Sequence, residues 1–207
     1  METLMWASRP DTYPWIAFVV GLAVGSFLNV VIHRKPRMAM REWVQDSAAC
    51  LEIDPAPHLE KHPEMTLSRP RSTCPSCGHQ IRWYENIPVL SWLWLRGRCS
   101  ACTNPISWRY PAVELATGLL FAGAAWRFGP QPVALAWCGV LAVLVAATLI
   151  DWDTTLLPDA INQPLLWAGL IAAGMGWTIP LEQALVGAVA GYMSLWTVAW
   201  LYEKLRG

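Results

Sequence analysis

Apolar residues gather along this chain into five long runs separated by polar stretches. The runs cover 14–32, 111–128, 133–150, 160–177 and 181–201. A helix rising 1.5 Å per residue needs about 20 mainly apolar residues to cross a bilayer, so each run predicts a transmembrane helix. Gly129-Pro130-Gln131-Pro132 separates the second run from the third, and Thr178-Ile179-Pro180 the fourth from the fifth. Both breaks are turn-forming and short, which predicts antiparallel neighbours. A cleaved signal peptide competes for the first run, but Ser26, Asn29 and His33 make it too polar for a simple apolar core of that kind. Gly21 and Gly25 form a small-xxx-small pair that permits close helix approach. Asn29 predicts a partner, because an amide at that depth needs a hydrogen bond or a place near the interface.

The one long polar segment, 34–110, carries eleven of the fifteen Lys and Arg. Arg34, Lys35, Arg37 and Arg109 flank the spans and place this segment in the cytoplasm. The alternation then puts the amino terminus outside, and 34–110, 151–159 and the carboxy-terminal tail with Lys204 and Arg206 inside. Pro55, Pro57, Pro63 and Pro70 predict short helices and loops over 38–70. Overall composition agrees: 55% of the 207 residues are hydrophobic and 14% charged, against about 25% charged in an ordinary soluble domain. The formal net charge is zero, so nothing in it argues for nucleic acid. The expected fold is an all-α polytopic membrane protein with an inserted cytoplasmic zinc-binding domain. Its parts are a first transmembrane helix within 1–33, the cytoplasmic domain at 34–110, and four further helices within 111–207.

Cys74-Pro-Ser-Cys77 and Cys99-Ser-Ala-Cys102 supply the metal chemistry. Two residues between cysteines let both sulfurs of a turn face one ion, and two such turns complete a tetrahedral thiolate site. Structural zinc over 74–102 is the expectation. Two disulfides compete, and a reducing cytoplasm disfavours them. Four cysteines leave no open position for catalysis. His79 abuts the module and offers it a supporting hydrogen bond. His58 and His62 have no third ligand nearby. Cys138, inside an apolar run, reads as packing.

A further cluster, Leu149-Ile-Asp-Trp-Asp-Thr-Thr-Leu-Leu-Pro-Asp159, puts Asp151, Asp153 and Asp159 between two spans. Acids at the end of an apolar run need water, a partner or a chemical role. A solvated loop explains all three, and Asp159 after Pro158 also suits a helix start. Glu114 reads as a charge partner of Arg109 or as lining an active region.

These pieces together resemble the bacterial prepilin leader peptidases of type IV pilus and type II secretion systems. The resemblance rests on Gly25-Ser-Phe-Leu-Asn-Val-Val-Ile-His-Arg-Lys-Pro36, on the cysteine module with Ile81-Arg-Trp-Tyr-Glu-Asn-Ile-Pro88 and Ile106-Ser-Trp-Arg-Tyr-Pro111, and on Ile150 to Asp159, in that order. It implies an aspartic endopeptidase of the inner membrane. Such an enzyme cuts the leader from prepilins and pseudopilins and methylates the new amino terminus with S-adenosylmethionine. It implies Asp151 as the catalytic carboxylate, with Asp153 the alternate. Asn29, Arg34, Glu85 and Asn86 fall inside matched motifs as candidates for substrate or structural contacts. The family's second aspartate lies in a Gly-x-Gly-Asp motif, and none occurs in these 207 residues. The expectation is therefore an incomplete chain. The competing function is a non-catalytic membrane module that binds prepilins or secretion-system partners.

Overall fold

A computed structural model describes residues 12–206. The flank 1–11, and with it the outward placement expected for the amino terminus, lies outside the described residues. The fold is all-helical, with only two isolated β-bridges among the described residues. The chain divides after Asp159 into two compact units. The first contains α1 (Tyr13–Cys50), α2 (Ala56–Leu59), a 3-10 turn (Trp83–Asn86), α3 (Leu90–Trp94), α4 (Arg109–Phe128) and α5 (Pro132–Thr154). The second contains α6 (Asp159–Gly174) and α7 (Leu181–Arg206).

Helices α1, α4 and α5 pack together as the core of the first unit. The Gly21 and Gly25 pair sets the α1–α4 distance. A Cβ at Gly25 would lie 2.7 Å from Glu114 Cα, and one at Gly21 would lie 2.8 Å from Gly118 Cα. Backbone therefore meets backbone, which only glycine allows at this spacing. Thr117, wholly buried in this contact, returns its hydroxyl to the Val113 carbonyl at 2.8 Å. α5 joins through a stripe of mostly small residues, Ala134, Cys138, Ala142 and Ala146, ending in the wholly buried Ile150. Their spacing of four keeps them on one helix face. Cys138 is thus a packing residue.

α1 is twice as long as the apolar run that predicts it. It passes through Pro36 and continues to Cys50, so 38–50 is helix and the short helices and loops begin only at 51. Loss of apolar periodicity after Ile32 hides this extension, although Met, Ala, Arg, Glu and Gln in it are good helix formers. Glu52 stops the helix with φ 54°, and the Ile53 and Glu52 amides turn back to the Ala48 and Ala49 carbonyls. This is the Schellman pattern of helix ends. Arg34 and Arg41 use the extension as a scaffold. Arg34 donates to the Thr66 and Pro70 carbonyls at 2.8 Å each, and Arg41 to that of His62.

Three helices among the described residues are long and apolar enough to cross a membrane: α1, α5 and α7. α4 carries Arg109, Glu114 and Arg127, and α6 has 16 residues. Gly176, with φ 73°, closes α6 short of 177, again in a Schellman pattern: the Trp177 and Gly176 amides return to the Ala172 and Ala173 carbonyls. In the second unit α7 buries none of its residues.

Candidate functional site

The cysteine module is built twice from one plan. The Cys74 amide donates to the His79 carbonyl, the Gly78 amide to Cys74, and the Ile81 amide to Ser72. Twenty-five positions later the Cys99 amide donates to Asn104, the Thr103 amide to Cys99, and the Ile106 amide to Gly97. Gly78 and Thr103 occupy the same place with φ 72° and 57°. The first knuckle meets this demand with glycine, and the second strains a threonine to meet it. The two knuckles bring the sulfurs of Cys74, Cys77, Cys99 and Cys102 within 4.8 Å of one another. Cys74 and Cys102 are 3.8 Å apart. Four thiolates about 2.3 Å from a tetrahedral centre would be about 3.8 Å apart, so the cluster fits such an ion. Amides of Ser76 and Cys77 hold the Cys74 thiol down at about 6. Cys102 gains from the Asn104 amide, but the Cys77 thiol, burial and the remaining sulfurs push it up to about 12. A cluster with one easily formed thiolate at Cys74 beside one reluctant thiol at Cys102 is poised to take a cation, which relieves the crowding.

Glu85 locks the two knuckles together. It accepts the Arg82 amide at 2.8 Å, the Ser100 hydroxyl at 2.5 Å, and a bond from His79 at 3.2 Å. These donors, the Arg82 amide foremost, hold its carboxyl down at about 2. His79 thus bonds Glu85 and Ser100 rather than a sulfur. Asn86 closes the 3-10 turn and makes no side-chain hydrogen bond among the described residues.

One bond joins this module to α4, and a second ties α1 to the start of α4. Glu114, buried on α4, accepts the Val89 amide at 2.7 Å. Asn29 of α1 donates to the Tyr110 carbonyl at 3.1 Å, which is the partner its depth demanded. The expected Glu114–Arg109 pairing does not form. Arg109 instead grips Asp153 with both guanidinium nitrogens, at 2.8 and 2.7 Å. A fork of this kind suits the planar carboxylate.

The acids at the end of α5 lie on helix rather than in a loop, because α5 continues to Thr154. Two positions on a helix differ by about 200°, so Asp151 and Asp153 point apart. Asp153 faces α4 and is held there by Arg109. Asp151 is exposed and has no hydrogen bond or ion pair among the described residues. Thr155, left-handed with φ 52°, ends the helix through a 2.7 Å bond from its amide to the Asp151 carbonyl. Asp159 opens α6 with no capping bond from its side chain. The Arg109–Asp153 pair spans 44 positions, and nothing in the local sequence marks it.

Residues 19–128 match the family model described as the bacterial peptidase A24 N-terminal domain. Residues 138–206 match that of the type IV leader peptidase family. A prepilin leader peptidase/N-methyltransferase of Burkholderia pseudomallei (strain 1026b) is 49% identical over 193 residues, covering 92% of this chain and 62% of that protein. Proteins of the same description from Stutzerimonas stutzeri and Pseudomonas aeruginosa are 49% and 47% identical over 201 residues, covering 97% of this chain and 68% of each. No solved structure matches.

Proposed function

Because this chain belongs to the type IV leader peptidase family, we propose that it contributes the first catalytic aspartate of a membrane aspartic endopeptidase that cleaves prepilin and pseudopilin leaders. In this reading Asp151 is the reacting carboxylate. The observation that carries it is the contrast with Asp153. Asp151 is free and water-exposed at the end of a packed helix, whereas Asp153 is committed to Arg109. The guanidinium occupies both oxygens of Asp153, while those of Asp151 are open to a water or a substrate.

Aspartic peptide hydrolysis uses two carboxylates in opposite protonation states. Asp151 supplies one. The partner is not Asp153, which points elsewhere. Five helices cross the inner membrane in this proposal, with 34–110 and 151–159 on the cytoplasmic face where leaders arrive. The four cysteines hold structural zinc, which would fold the module and perform no chemistry. Methylation of the new amino terminus with S-adenosylmethionine completes the function by family likeness, and no residue is assigned to it. Asn29, Arg34, Glu85, Asn86, Glu114 and Asp159 are proposed as structural and positioning residues.

A second reading, a non-catalytic module that binds prepilins or secretion partners, draws support from Asp151 being the one free carboxylate on α5 among the described residues. One assay separates the two: cleavage of a prepilin-type substrate in membranes containing this protein as its gene encodes it, beside Asp151→Asn. Cleavage lost in the variant supports the peptidase. Substrate binding without cleavage in the parent protein supports the module, and cleavage that survives Asp151→Asn removes Asp151 from the site.

A further inference from the structure

The cysteine module presents an apolar face that peptide cleavage leaves unexplained. α3 turns its inner side to the second knuckle. There Trp92 packs so close to Gly97 that a Cβ would come within 2.9 Å of the indole, and its Nε1 donates to the Ile106 carbonyl at 3.1 Å. Its outer side shows Leu90, Leu93 and Trp94, which are 63%, 58% and 87% exposed. Ile87, also exposed, precedes α3 in extended backbone, and positions 90, 93 and 94 share a helical side. A contiguous apolar cluster of this kind marks an interaction surface.

Its place in the fold identifies what covers it. Val89, the residue before α3, is bonded to Glu114 in the second turn of α4. The exposed face therefore begins one residue from α4, whose Leu115 and Leu119 also point outward. Trp108 and Tyr110, exposed at the start of α4, have the chemistry of interfacial anchors. Arg96 and Arg98 follow α3, are exposed, and form no ion pair among the described residues. The face itself offers no hydrogen-bonding side chain except the Trp94 indole.

We propose that α3 is an interfacial anchor. Ile87, Leu90, Leu93 and Trp94 lie in the headgroup–acyl boundary of the bilayer, with Arg96 and Arg98 beside anionic headgroups. The cysteine module is thereby held down against the membrane, close to the end of α5, instead of standing free in the aqueous phase. Apolar area plus basic residues is the combination that binds such an interface. The proposal rests on α4 spanning the membrane and does not depend on peptidase activity.

The test places a diazirine-bearing amino acid at Leu93, Trp94, Leu119 or Lys61, one at a time, in the full protein in its native membrane. Adducts after irradiation are identified by mass spectrometry. Phospholipid adducts are expected at 93, 94 and 119, and none at the exposed Lys61 of the 51–70 segment. Leu90 is the second position if the Trp94 variant fails to accumulate. Lipid adducts at 119 with none at 93 and 94 overturn the anchor but keep the span. Adducts at 93 and 94 to protein, either a second copy or another chain, also overturn the anchor. Absence of lipid at 119 removes the span on which the anchor rests.

Discussion

The cysteine module and the carboxylate end of α5 hold the two chemically pointed clusters of this protein, and they are organised in opposite ways. The module is closed. Its four sulfurs come from two copies of one short turn, and Glu85 bolts the copies together. Everything it needs lies within about thirty consecutive residues. The end of α5 is open. Asp151 has no hydrogen bond or ion pair among the described residues, and the residue that differentiates it from Asp153 is Arg109 on another helix. Local repetition thus builds a cluster able to hold a metal ion from one short stretch of chain. The acids at the end of α5 instead owe their difference to a distant element, Arg109.

The contrast is easiest to break at Asp151. Asp151→Asn is expected to reduce cleavage by about 10²–10⁴-fold, the range for loss of a positioned acid–base group, with metal content unchanged. Next in size is the metal. Cys99→Ser, or a strong chelator, should unfold the module, because structural zinc contributes on the order of 10 kcal/mol to such folds. Amide exchange over 72–106 would rise, while exchange in α5 would stay slow. Gly25→Ala tests the scaffold that both clusters share. A Cβ there would strike the Glu114 backbone, and overpacking of this kind costs about 1–3 kcal/mol. A lower thermal midpoint in detergent would report it.

Smaller effects sharpen the comparison. The Arg109–Asp153 pair is more than a third exposed on both sides, so Arg109→Gln should cost no more than about 1 kcal/mol of stability. Its effect should appear instead as faster amide exchange at the end of α5, as Asp153 loses its tie to α4. Glu85→Gln is milder still. The carboxyl of Glu85 is depressed in the fold, so its contribution is complete above the ordinary carboxylate range of about 4.3. That contribution disappears as pH falls toward about 2. At pH 6 the variant should therefore show faster exchange across the knuckles than the parent, and the difference should vanish in strong acid.

Much of this was legible in the chain. The four helices after the module fall within a few residues of the apolar runs that predict them, because burial and lipid exposure impose the same composition. The paired Cys-x-x-Cys turns announce their geometry because the information is local. The extension of α1 to Cys50 was hidden, since its polar residues carry no apolar period and Pro36 reads as a stop. The final turn of α5 was also hidden. Asp151 and Asp153 look like loop residues by charge, yet the helix carries them before Thr155 turns left-handed. Arg109–Asp153 and Val89–Glu114 join residues 44 and 25 positions apart, and no period or motif in one sequence encodes such pairs.

The division of labour between the two acids can be read from one pair of variants. Asp151→Asn and Asp153→Asn, made in the protein as its gene encodes it, are assayed side by side for cleavage of a prepilin-type substrate, with bound metal measured in each. Asp151→Asn is expected to reduce cleavage by about 10²–10⁴-fold and Asp153→Asn to retain most of it, with metal content matching the parent in both. Cleavage that survives Asp151→Asn and fails in Asp153→Asn would contradict that division.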